Sequence, residues 1–102
     1  MNTVLTVESS LEFDTCFHLE YSPAVKAFEA QPEGFYYAFE GRDCPYTPDF
    51  RVVDQHGNVS FIEVKPSDKV AEPDFLQRFP FKQQRAIELS CPLKLITERQ
   101  IR

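Results

Sequence analysis

The chain has 102 residues, 42% hydrophobic and 26% charged, with a formal net charge of −5. That is the balance of a globular domain with room for one core, not two. No run approaches the ~20 apolar residues of a membrane helix, and no basic stretch leads into an apolar one at the N-terminus, so a cytoplasmic protein is expected, without a membrane partner. Cys16, Cys44 and Cys91 form no CxxC pair and read as free thiols rather than disulfides or zinc ligands. His18 and His56 are the only histidines, too few and badly placed for a Ser/His/Asp set, and there is no glycine-rich phosphate loop.

An acidic chain is not a generic nucleic-acid binder. The charge is uneven, however. Residues 1–65 hold four Lys/Arg against eleven Asp/Glu, and residues 66–102 hold seven against five. Any contact with DNA is therefore expected from Lys69, Arg78, Lys82 and Arg85, with a partner protein supplying much of the affinity.

Residues 1–7 read as an extended lead-in. Ser9-x-x-Glu12 has the form of a capping box, and the helix it opens is predicted to run to about Tyr21, before Pro23. At 100° per residue Leu19, Glu12, Cys16, Glu20, Phe13 and Phe17 share one arc. A carboxylate on an apolar arc needs a partner or a metal, which marks Glu12 as a site candidate. As the capping partner of Ser9 it is equally well explained. Pro23 to Ala30 reads as a short helical turn. Gln31-Pro32 suits a junction into a strand, because the residue before proline favours extended backbone. Gln31 is a candidate either for substrate contact or for a backbone bond.

Phe35 to Phe39 is predicted as a strand, with Gly41-Arg42-Asp43 as its turn. Thr47 to Val53 and Val59 to Lys65 are predicted as a hairpin turning at His56-Gly57-Asn58, where Gly and Asn tolerate positive φ. Side chains alternate along a strand, so Asp49 and Arg51 leave one face of theirs, and Glu63 and Lys65 one face of the other. Pairing the strands can gather two carboxylates and an ammonium at one end of the hairpin. From Pro66 to Asp74 the chain is polar and reads as a loop. A helix is expected from Pro80 to about Ser90, carrying Lys82, Gln83, Gln84 and Arg85. Leu93 to Ile96 is the last predicted strand, and Thr97-Glu98 starts a short final helix.

The Asp49 half and the Glu63-Val64-Lys65 half, with thirteen residues between Asp49 and Glu63, resemble the PD-(D/E)xK nuclease superfamily. Ser9-Ser10-Leu11-Glu12, Pro23-x-Val25, Gln31-Pro32, Tyr46-Thr47-Pro48-Asp49-Phe50, Glu63-Val64-Lys65-Pro66 and Ile96-Thr97-Glu98 follow the order of one branch, the N-terminal catalytic domain of the TnsA transposon endonucleases. The resemblance implies an α/β, restriction-endonuclease-like fold, a mixed sheet of about four strands flanked by helices. It implies a Mg²⁺-dependent endodeoxyribonuclease, with Mn²⁺ as the substitute ion. Glu12, Asp49 and Glu63 would be the metal ligands, and Lys65 would join them as the fourth catalytic residue. An ammonium there suits electrostatic assistance better than base catalysis. Gln31, Lys69, Lys82, Gln84 and Arg85 are the substrate-binding candidates.

Members of that branch cut DNA at the 5′ ends of a transposon beside a DDE transposase, and larger ones carry a C-terminal winged-helix domain. This chain stops shortly after Glu98, so a single nuclease domain over residues 1–102 is expected, either a piece of a larger member or a small stand-alone nuclease of phage or repair origin. A non-catalytic binding module with the nuclease fold is the remaining alternative. As single residues, Glu63 and Lys65 would pass for a surface pair worth tenths of a kcal/mol. The ordered set is what favours a metal site.

Overall fold

The computed structural model describes residues 7–101, and of residues 7–9 the backbone alone. Residues 1–6 of the predicted lead-in and the Ser9 side chain thus lie outside the described residues, while α1 already includes Val7 and Ser9, so the helix starts before the predicted capping box. Ten elements follow in order: α1 (Val7–Glu20), β1 (Val25–Ala30), β2 (Phe35–Phe39), β3 (Arg42–Tyr46), β4 (Phe50–Asp54), β5 (Val59–Val64), α2 (Ser67–Val70), α3 (Pro73–Glu88), β6 (Leu93–Ile96) and α4 (Glu98–Ile101). The expected α/β architecture is present. Its sheet is mixed and four-stranded, in the order β1-β4-β5-β6, with β5 and β6 parallel and the other pairs antiparallel. β2 and β3 form a separate two-stranded ribbon.

The two sheet faces carry two cores. Leu11 and Leu19 of α1 pack on Phe50, Val52, Ile62 and Val64. On the other face Phe75, Phe79 and Ala86 of α3 pack on Phe61 and Leu93, with Phe35 and Tyr46 of the ribbon at the margin. Alternation along β5 sends Ile62 and Val64 to the first face and Phe61 to the second.

Four local predictions are corrected. Pro23 to Ala30 is not a helical turn: Val25–Ala30 pairs with β4. A register shift between Val25 and Ala27 puts Val25 and Phe28, three residues apart, against the same core, and that spacing imitates a helix. Arg42 and Asp43 belong to a strand rather than a turn. The ribbon turns in two residues, Glu40 (φ 51°) and Gly41 (φ 74°), the left-handed pair of a tight hairpin. The segment after Pro66 is helical rather than a loop, and α3 begins at Pro73 instead of Pro80. Both prolines suit a first turn. The stacked Phe75 and Phe79 rings (4.9 Å) and the Asp74–Arg78 pair (2.9 Å) extend the helix seven residues upstream of Pro80. Finally, the buried stripe of α1 is Leu11, Thr15 and Leu19; Phe13 and Phe17, placed on the apolar arc from sequence, are more than half exposed.

The β4–β5 hairpin turns as expected. Asp54 accepts hydrogen bonds from the backbone N–H groups of His56 (2.8 Å) and Asn58 (2.9 Å), and Gly57 takes the positive φ of 83°.

Candidate active site

Asp49 stands just before β4. Its N–H donates to the Ile62 carbonyl (2.9 Å), and its own carbonyl accepts from the N–H of Gln31 (2.8 Å), which sits at positive φ as β1 ends. The preceding residue, Pro48, is fully buried and has no N–H, so it cannot extend the ladder as a donor. The Asp49 carboxylate meets β5 directly: Oδ2 accepts from the N–H of Val64 at 2.7 Å. The side chain is held by the strand that carries Glu63.

Glu63 is 7% exposed, between Ile62 and Val64 and pointing to the α3 face. Burial first, and then the charge of Asp49, push its carboxyl up to about 7, with partial relief from Lys82. Lys82 reaches over from α3 and brings Nζ to 3.8 Å from Glu63 Oε1, both side chains nearly covered. Its ammonium lies 4.4 Å from the Tyr46 ring centre and 5.8 Å from that of Tyr37. Burial pulls the Lys82 ammonium below the usual lysine range against the pull of Glu63, and Lys65 and Arg78 push the same way. Both members of the pair are therefore biased toward neutrality by burial, and neither fully compensates the other. Lys65 follows Glu63 onto this face. Its N–H bonds the Ile96 carbonyl (2.9 Å), and its ammonium is 5.6 Å from the Phe75 ring centre.

Two further residues shape the site. Tyr46 was present in the motif, but nothing in the sequence marked it as functional, because only the ribbon brings it beside Glu63. Its ring is packed edge-on against Phe35 and Tyr37, and its hydroxyl oxygen is sealed from solvent. The hydroxyl is near enough for Glu63 to act on it, yet it completes no hydrogen bond of sound geometry among the described residues. Burial, then Glu63, hold it far above the usual phenol range. Glu98 of α4 braces the chain beyond Lys65. Its carboxylate accepts from the N–H (2.6 Å) and hydroxyl (3.0 Å) of Ser67, which keeps it ionised below the usual range.

The other predicted residues are placed variously. Glu12 is half-buried on α1, the helix of the opposite sheet face. Among the described residues no three His, Cys, Asp or Glu side chains gather as a metal-holding group. Gln31 acts through its backbone, with its side chain exposed. Lys69 pairs with Glu72 at the surface (3.3 Å). Arg85 donates to the Tyr36 carbonyl (3.2 Å) and lies 3.8 Å from Glu88; with Gln84 it lines a groove beside Tyr36 and Phe81 that does not include the pair. Of the five substrate candidates, only Lys82 faces the carboxylates.

The donor chemistry of the pair fits a hard divalent cation. Two carboxylates lie side by side, one oriented by a backbone N–H and the other raised to about 7 by burial and then by its neighbour, with lysine ammoniums alongside. No described helix is long and apolar enough to cross a membrane.

Comparison with curated proteins returns no match. Against protein families, the model of the TnsA-like endonuclease N-terminal domain matches residues 22–98, a span that holds Asp49, Glu63, Lys65 and Lys82 and leaves out α1 with Glu12. A match over that share of the chain, on a fold that puts the Asp and the Glu-x-Lys at one strand end, makes this chain a member of the TnsA-like endonuclease N-terminal family.

Proposed function

We propose that this nuclease domain hydrolyses DNA phosphodiester bonds as a PD-(D/E)xK enzyme, with one divalent cation held by Asp49 and Glu63. Mg²⁺ is the ion proposed for the cell and Mn²⁺ its substitute. The observation that carries the reading is the pairing of half-buried Asp49 with buried Glu63, with Glu63 raised to about 7 and its Lys82 neighbour still 3.8 Å away. Such a pair is expensive to keep ionised unless a stronger positive charge visits it.

A bound cation would supply Lewis-acid polarisation of a phosphoryl oxygen and a hydroxide near neutral pH. The residues of the chain do the rest. The Val64 N–H fixes one Asp49 oxygen and holds the carboxylate beside that of Glu63. The Lys65 ammonium, on the same face, is suited to a phosphate oxygen as negative charge develops. Lys82 is the second ammonium available to the DNA backbone once it leaves Glu63.

The proposed setting is cleavage at the 5′ ends of a mobile element beside a DDE transposase. Family membership supports it, and so does the acidic first two-thirds of the chain, which calls for a partner to bring DNA. The test is nicking of supercoiled plasmid in Mn²⁺ by wild type, Asp49→Ala and Lys65→Ala, with and without a candidate transposase on element-end DNA. Each substitution is expected to lower cleavage by roughly 10²-fold or more, the scale of losing one preorganised electrostatic group. Equal cleavage by all three proteins would remove the assignment.

A further inference from the structure

Tyr46 presents a puzzle of hydrogen bonding. Its hydroxyl is sealed inside the protein with no partner among the described residues, although its ring sits in a nest of aromatics where phenylalanine would pack as well. Buried polar atoms are nearly always paired, and an orphan is a site of expense or of use. The place is also tightly set. Gly34 passes so close that an added Cβ would lie 2.6 Å from the Tyr46 carbonyl oxygen and 2.8 Å from the Thr47 hydroxyl. Phe35 pairs with Tyr46 across the ribbon, and the Lys82 ammonium covers the ring at 4.4 Å. The phenol is therefore preorganised between an ammonium and a carboxylate, close enough to Glu63 to feel it but without a hydrogen bond of sound geometry.

We infer that Tyr46 is a positioning residue, its hydroxyl being the donor kept for the Glu63 carboxylate once a divalent cation has drawn that carboxylate into place. The inference rests on the cation site proposed above. Glu63 has one oxygen turned toward the Lys82 ammonium at 3.8 Å, too far for a good hydrogen bond. A cation shared with Asp49 gives the carboxylate a stronger reason to turn. The hydroxyl then gains a charged acceptor, and the energy of that bond appears as cation affinity.

The experiment is calorimetric titration of the full chain with Mn²⁺, together with its melting temperature in chelator, for wild type and Tyr46→Phe. The substitution keeps the ring and its Lys82 contact and removes only the oxygen. Without cation, Tyr46→Phe is expected to melt no lower than wild type, because no bond is lost. Its Mn²⁺ affinity is expected to fall on the order of tenfold, the worth of one hydrogen bond to a charged group. In a Glu63→Gln background the same substitution should cost no further affinity. Equal Mn²⁺ affinity of Tyr46→Phe and wild type would overturn the inference and leave the cation site standing. A lower melting temperature in chelator, or a further tenfold loss in the Glu63→Gln background, would also overturn it, by giving the hydroxyl another partner. A wild type that takes up no Mn²⁺ would end the cation reading and this inference together.

Discussion

The two faces of the four-stranded sheet are built from alternate residues of the same strands and have opposite tasks. On the α1 face Phe50, Val52, Ile62 and Val64 meet Leu11 and Leu19 in an apolar core. On the α3 face the corresponding positions are Asp49, Phe61, Glu63 and Lys65, and the core gives way at one end to carboxylates and ammoniums. One residue of register separates a stabilising surface from a reactive one. The difference teaches that the charged end is affordable because the other face is dry and well packed. It also predicts that substitutions on the two faces fail in different ways.

The largest expected effect is on the dry face. Leu11 is 1% exposed, and Leu11→Ala should lower unfolding free energy by roughly 3–4 kcal/mol, the usual cost of a buried cavity. Cleavage per folded molecule should survive, in contrast to Asp49→Ala. Denaturant melts alongside nicking rates of the folded fraction test this, and a Leu11→Ala protein that stays folded yet cuts no DNA would show that the faces are not independent.

The next effect belongs to the charged face. Glu63 is raised from its ordinary value of 4.5 to about 7. The folded state therefore holds this proton more tightly than the unfolded chain. Its contribution to stability is fully present below about pH 4.5 and is lost as pH rises through about 7. Between those limits the cation-free protein should lose on the order of 2–3 kcal/mol through this group, which Glu63→Gln should remove from the profile. By the same sign, Mn²⁺ uptake should strengthen from pH 6 to pH 8, because the cation competes with that proton. Melts across pH in chelator would decide, and parallel profiles for wild type and Glu63→Gln would refute the assignment.

The smallest effect sharpens the boundary between the faces. Glu12 lies on the helix of the α1 face, and Glu12→Gln should change Mn²⁺ affinity by no more than about twofold, because among the described residues it joins no metal-holding group of three with Asp49 and Glu63. A tenfold loss would mean that Glu12 reaches round the sheet edge to join Asp49 and Glu63.

Much of this was legible in the residues alone. The alternation of Val59 to Lys65 and the turn at Gly57 were enough to place the β4–β5 hairpin and to put Asp49, Glu63 and Lys65 on one side, because a strand's period of two is a local property. The family likeness rested on ordered motifs that need no coordinates. Other features depended on contacts between distant segments. The bulge in β1 disguised a strand as a helical spacing. Phe13 and Phe17 looked like core and face solvent, since nothing in an amphipathic pattern says which flank of a helix its sheet will cover. Pro80 looked like a helix start until Phe75 and Phe79 found Phe61 and Leu93. The approach of Lys82 to Glu63 and the sealed hydroxyl of Tyr46 were both decided by tertiary packing. Burial and charge at the site are sums over neighbours that the linear order holds far apart.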